Sequence, residues 1–403
     1  MSNWAEKKLG DVLTLQRGFD LPETQRETGP YPVIASTGPV GTHNVAMVRG
    51  PGVVIGRSGS LGGGQFIRSD FWPLNTTLWV RDFKGNDRRF CYYLLKSLNL
   101  ANFNAGSGVP TLNRNHIHPL PVRVPEDTYE QRAIAHILGT LDDEIDLNRR
   151  MNETLEAIAR AIFKSWFVDF NPVRAKVEGY DPGLPKYIAE LFPDRFEDSF
   201  LGEIPAGWRV GKLGDVAENP RRGVRPSEIK VSMPYIGLNH MPRRCIALSE
   251  WGYADSLESN KFEFQQGEIL FGKLRPYFHK IGIAPVDGIC STDILVVRPR
   301  EEKWFGFVLG HLSSTAFVDY TNAVSTGTKM PRTSWQDMSR FDLVLSTEGV
   351  AKKFNHIIQP IVERIIANIR ESKSLATFRN TLLPKLLNGG LSVGAEVKGA
   401  NHA

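Results

Sequence analysis

Two stretches of the chain repeat a seam position every seven residues. Over 128–166 that position is held by Ile134, Leu141, Asn148, Leu155 and Ile162. Ile137 with Leu138, Ile145, Met151, Ile158 and Trp166 follow three or four residues on. Such spacing is the apolar stripe of a long helix packed against another helix. About 40 residues at roughly 1.5 Å each would reach on the order of 60 Å. The second stretch places Phe354, Ile361, Asn368, Leu375 and Leu382 at the same interval, with Ile357, Ile358, Ile365, Phe378 and Leu386 beside them. Both hold Asn in the third slot, where a lone seam Asn lowers stability and fixes register. Each Asn is the middle of five seam positions, so antiparallel pairing is expected to bring Asn148 near Asn368. Pro360 is expected to kink the second helix near its start.

The segments before the two helices also begin alike. Trp4-Ala-Glu-Lys-Lys8-Leu9-Gly10-Asp11-Val12 and Trp208-Arg-Val-Gly-Lys212-Leu213-Gly214-Asp215-Val216 share Trp-x-x-x-Lys-Leu-Gly-Asp-Val. Between opening and seam, short β-like runs alternate with Gly-rich turns. In the first half Tyr31–Ala35, Gly52–Gly56 and 76–80 read as strands, 36–41 and 57–64 as loops, 90–100 as a helix and 119–124 as a closing strand. The second half offers strands over 235–238, 268–271 and 293–297, a loop over 272–276, a helix over Phe305–Leu312 and a closing strand over 341–345. The predicted fold class is α+β. Two α+β domains, 1–125 and 204–346, are separated by a pair of long antiparallel coiled-coil helices, 126–170 and 347–388, in a pseudo-twofold internal repeat. The connector 171–203 is too rich in Pro and aromatic residues for a flexible linker and should lie against the helices or a partner. The tail 389–403 is expected to be disordered.

Composition adds a charge pattern to this frame. Residues 1–125 carry 14 Lys and Arg against 8 Asp and Glu, whereas residues 126–200 carry 9 against 16. A basic domain beside an acidic helix suits a polyanion-binding module next to a protein-binding or solvated connector. The same charges could serve solubility alone. No run of 18 apolar residues occurs, the first residues lack a signal-peptide pattern, and three widely spaced cysteines show neither metal nor disulfide spacing. A reducing cytoplasm is the expected compartment.

Catalytic patterns are missing. The loop 57–64 lacks the Gly-Lys-Ser/Thr ending of a phosphate cradle, and 326–330 fails likewise. His116 and His118 could share a strand face but have no carboxylate or Cys near them in sequence. No Ser-His-Asp set, paired carboxylates, methyl-donor fingerprint or Asn-Pro-Pro-aromatic tetrapeptide stands out. The positive signal is a set of basic and hydrogen-bonding residues: Arg57, Ser58, Ser60, Thr111, Asn113 and Arg114 in the first half, and Arg221, Arg222, Arg225, Lys273, Arg275, Tyr277, Lys329 and Arg332 in the second. Arg and Asn on loops can bond base edges, while Lys and Ser usually meet phosphates. Singly, each also reads as a solvated surface side chain.

Four stretches resemble the specificity subunit of a Type I restriction–modification enzyme. They are Glu130-Gln131-Arg132 running into Leu141-Asp-Asp-Glu-Ile-Asp-Leu-Asn148, Phe163-Lys-Ser-Trp-Phe167 leading to Asn171-Pro172, Ile204-Pro-Ala-Gly-Trp208, and Leu382-Leu-Pro-Lys-Leu-Leu387. The second helix departs from the pattern at Gly349-Val350, where a Glu-Gln pair would be expected. The resemblance implies two target-recognition domains reading the halves of a split double-stranded DNA target, with the helices as a ruler for the gap. It further implies two methyltransferase subunits bound to this chain and restriction subunits joining them. S-adenosylmethionine, ATP and Mg would then belong to the partners, and this chain would be non-catalytic. Two other classes compete: a coiled-coil scaffold or signalling protein with ligand-binding end domains, and a self-sufficient nuclease. Salt-dependent duplex binding separates the first from a DNA reader, and a metal-dependent cleavage assay exposes the second.

Overall fold

The computed structural model describes residues 3–106, 108–255, 257–327, 329–391 and 393. The chain divides into two compact units, one built from the first 144 residues with the chain from Leu375 onward, the other from Ile145–Ser374.

In the first unit, strand Trp4–Lys8 pairs antiparallel with Pro121–Pro125, so the domain is closed by its own ends. Between them lies a four-stranded sheet in the order Thr14–Arg17, Thr77–Asp82, Gly52–Gly56, Gly62–Ile67. A three-stranded sheet runs Gly38–His43, Tyr31–Ala35, Trp72–Pro73. Helix Arg88–Ser97 begins where the Asp87 carboxylate accepts the Phe90 N–H at 2.8 Å. It buries Phe90, Tyr93 and Leu95 against Leu9, Val53 and Ile55. Ile134 and Leu138 of the first long helix, and Leu386 and Leu387 of the second, complete that core. Gln131 anchors the helix start by accepting the Asp87 N–H at 2.9 Å and donating to Asn86 at 2.8 Å.

The structure differs from two of the expected loops. Residues 38–41 of the expected 36–41 loop belong to a strand paired with Tyr31–Ala35, and the final glycines of 57–64 open the strand Gly62–Ile67. Gly38 and Gly41, at φ +123° and +143°, take extended shapes that side chains rarely adopt, so a Gly-rich run that reads as a turn becomes sheet once a partner strand exists.

The second unit repeats the plan. Arg209–Lys212 pairs with Asp342–Leu345, and a four-stranded sheet runs Ala217–Glu218, Ile294–Pro299, Ile269–Gly272, Ile281–Ile283. These strands stand in the same order as their counterparts in the first unit. Even single hydrogen bonds recur: Leu9 and Gly10 donate to the Leu120 and His118 carbonyls, both at 2.8 Å, as Leu213 and Gly214 donate to Phe341 and Ser339 at 3.0 and 2.9 Å. The second sheets diverge, this one having five strands with Gly223–Val224 and Gly252–Tyr253 at its edges. Within 171–203 two short helices, Asn171–Val177 and Lys186–Ala189, and a hairpin, Phe196–Ser199 with Gly202–Pro205, replace any open linker. Trp166 meets Phe192 edge-on at 5.0 Å, and Phe170 meets Trp208 at 5.7 Å.

The long helices span Thr128–Phe167 and Glu348–Leu387, 40 residues each, and the second stays helical through Pro360. In the first unit Asp142 bonds Arg379. In the second Asn148 donates to Glu371 at 3.1 Å, Asn368 donates to Asn152 at 2.8 Å, and Trp166 packs on Phe354 at 5.7 Å. Rising numbers on one helix meet falling numbers on the other, so the pair is antiparallel. The register differs from the expected one, since Asn368 faces Asn152, one turn beyond Asn148. The seam is also narrower than the heptads suggest. Ile134, Asn148, Phe354 and Asn368 are buried, whereas Leu141, Leu155, Ile162, Ile361, Leu375 and Leu382 are half-buried, and Ile158 and Phe378 are exposed. At Gly349-Val350, where the Glu-Gln pair is missing, Gly349 is exposed and Val350 is fully buried in an apolar core. Of the tail expected to be disordered, 392 and 394–403 lie outside the described residues, and Val393 packs against the first core.

Candidate nucleic-acid interface

Each domain staples two loops together by backbone hydrogen bonds, at equivalent places in the repeat. In the first, Gly59 donates to Pro110 O at 3.0 Å and Leu112 to Arg57 O at 2.7 Å. The Asn104 side chain stiffens this pair by accepting the Gly106 and Thr111 N–H groups, each at 2.9 Å. In the second, Arg275 donates to Pro331 O at 2.7 Å and Thr333 to Lys273 O at 3.1 Å. A short helix follows each pair, Arg114–Ile117 behind an Asn113 cap and Trp335–Met338 behind a Ser334–Asp337 capping box.

Eleven of the fourteen candidate residues fall on these pairs or the turns attached to them. Arg57, Ser58, Ser60, Thr111, Asn113 and Arg114 share the first, and Lys273, Arg275, Tyr277, Lys329 and Arg332 the second. Arg221, Arg222 and Arg225 do not join them, flanking the edge strand Gly223–Val224 instead. Arg222 is ion-paired with the buried Glu268, a contact that holds the fold together. Several of the others already serve the protein: Arg57 donates to Asn75 O at 3.1 Å, Arg114 to Leu15 O at 3.3 Å, and Arg332 pairs with Asp293 at 3.4 Å. Ser60, Tyr277 and Lys329 are exposed. Two edges carrying donors and cations over a stiffened backbone can present a fixed pattern to a polyanion.

The second loop pair also holds strain that sequence reasoning missed. Arg275, His279 and Arg244 all lie in left-handed backbone, at φ +51°, +51° and +55°, and Arg244 donates to His279 O at 2.9 Å. Left-handed non-glycine residues are uncommon and gather at binding sites. The Arg243 guanidinium lies 4.2 Å over the Phe278 ring, and burial together with Arg243 lowers the Lys280 pKa. The adjacent Arg243-Arg244 was the available signal. His118 is no metal ligand in waiting: its Nε2 accepts the Leu15 N–H at 3.1 Å, while His116 is exposed. Among the described residues no group of three or more His, Cys, Asp or Glu could hold a metal ion, and no helix is long and apolar enough to cross a membrane.

Residues 1–157 match the family model of the Type I restriction modification DNA specificity domain. The Type I restriction enzyme HindI specificity subunit of Haemophilus influenzae is 25% identical, covering 96% of this chain and 100% of that protein. The MjaIX specificity subunit of Methanocaldococcus jannaschii is 26% identical over 80% of this chain and 74% of its own. The chain is thus similar to Type I restriction enzyme specificity subunits over most of its length. Its fold agrees, since the crystal structure of the Type I system S subunit from M. genitalium superposes with a TM-score of 0.60 over 96% of both chains at 14% identity. The matched 157 residues contain the whole first loop pair and most of the first long helix, so the region of similarity includes the first candidate interface.

Proposed function

We propose that this chain is the DNA-reading subunit of a Type I restriction–modification complex, with one domain for each half of a split target and the paired helices setting the gap. The observation that carries this reading is the recurrence of the stapled loop pair at the same place in both domains, with different side chains on each. A duplicated scaffold whose loops differ suits two readers of two different half-sites, because loops carry specificity while the scaffold positions them. The chain supplies no chemistry of its own in this reading. Methyl transfer from S-adenosylmethionine and cleavage dependent on ATP and Mg belong to two methyltransferase subunits and the restriction subunits, in the cytoplasm. Selection of randomised duplexes by the full-length chain is the test. Two conserved blocks separated by a constant gap are expected, with log affinity falling linearly against log salt. Enrichment of a single block, or binding indifferent to salt, would sink the proposal.

A further inference from the structure

The second unit contains a cavity of about 740 Å3, which borders the strained turn through Arg244 and His279 and runs from there to the first long helix. Its walls are apolar, with Ala159, Phe163 and Phe167 of the first long helix among them, together with Ile281, Leu309 and Leu343. Two features distinguish it from a packing defect. His311 stands on its wall, edge-on to Phe163 and Phe307 with ring centroids 4.9 and 4.4 Å away, and its buried Nε2 has no partner among the described residues. An unmet buried polar atom costs about 1–3 kcal/mol, so the fold carries a polar group here that its own packing does not use. The second feature is charge. Arg160 and Arg244, both exposed, line the cavity and form no ion pair among the described residues, and both act on the buried His279 to disfavour its protonation.

The remaining charged groups on the lining are largely spoken for. Lys164 is matched by Asp169, and the Glu156 carboxylate accepts the Ile246 and Ala247 N–H groups at 3.0 and 2.9 Å. Asp342 is exposed. The two guanidiniums are therefore the cations on the lining without an ion pair among the described residues, beside a largely apolar volume of the size that usually encloses a small organic ligand. A DNA phosphate would satisfy the arginines but leave that volume empty.

We propose that this cavity binds an amphipathic carboxylate, a medium-chain acyl anion, with its chain against Phe163 and Ile281 and its carboxylate on Arg160 and Arg244. Titration calorimetry on the full-length chain with dodecanoate, and with dodecanol as the uncharged control, tests it. Dodecanoate is expected to bind one saturable site, with dodecanol about tenfold weaker or more for want of the charge-assisted bonds. The double variant Arg160→Ser, Arg244→Ser should bring dodecanoate down to the level of dodecanol and leave dodecanol unchanged. Both substitutions are at exposed positions, and circular dichroism would verify that the variant folds. Ala159→Phe, which fills part of the cavity, should weaken both ligands. Absence of saturable dodecanoate binding, equal affinity for the two ligands, or full retention by the double variant overturns the proposal.

Discussion

Arg275 combines a left-handed backbone, a main-chain hydrogen bond to Pro331 and a place on the stapled loops, so the point from which its side chain departs is fixed. Arg275→Ala is expected to change preference in one half-site only, with a loss of about 1–3 kcal/mol against the preferred base. Arg57→Ala should act on the other half-site. Binding measured across single-base variants of the target checks both, and an equal loss on every sequence would reduce the pair to backbone contacts. A second prediction rests on His311, whose pKa burial lowers to about 3. The unfolded chain takes up a proton near pH 6.5 where the folded chain does not, so stability is full above that value. It falls as pH drops from about 6.5 toward about 3, by up to about 1.4 kcal/mol per pH unit. His279, lowered chiefly by burial, adds to the same trend. Urea unfolding of His311→Phe should show a shallower pH slope across that window; matching slopes would mean that the imidazole is protonated in the fold. Charge and hydrogen-bonding type marked the candidate residues in the sequence. Which of them were already engaged, as Arg222 is by Glu268, depended on partners distant in the chain.

At the scale of elements, the heptads located both long helices to within three residues at each end and placed Asn in the seam. They did not give its width. Asn152 and Glu156 are buried as deeply as Asn148 because the second domain covers that side of the helix, where Glu156 holds Ile246 and Ala247. Ile158 and Phe378 fit the period yet are exposed. The bond between Asn152 and the fully buried Asn368 gives a testable coupling. Asn152→Leu alone should destabilise the chain by roughly 1–3 kcal/mol by stranding the Asn368 amide. Adding Asn368→Leu should recover much of that loss, since an apolar pair fills the seam. A double-mutant cycle in urea reads the coupling, and additive single effects would show that the two side chains do not depend on each other.

For the whole molecule, the boundary between the units crosses both long helices, after Glu144 in one and after Ser374 in the other. Inserting seven residues at each point keeps the contacts within each unit and adds nearly two turns, roughly 10 Å of helix. If the helices set the gap, selected targets should gain about three base pairs between half-sites, at roughly 3.4 Å per pair. Some affinity should be lost as the half-sites rotate around the duplex, while the half-site sequences stay the same. A constant gap, or half-sites of altered identity, would show that the helices do not measure it.

By itself the sequence determined the duplication, the two long helices with their polar seam positions, and the closing strands of each domain. All of these follow from local period or from a repeated string, which need no knowledge of what packs where. Tertiary structure decided the rest. The Asn152–Asn368 register depends on how two helix surfaces interlock, and strand Gly38–His43 depends on a partner strand that outweighs its turn-like composition. The stapled loops, the strained turn at Arg275–His279 and the cavity beside Arg160 join segments tens to hundreds of residues apart. Side chains that meet only after folding leave no period in the sequence to read.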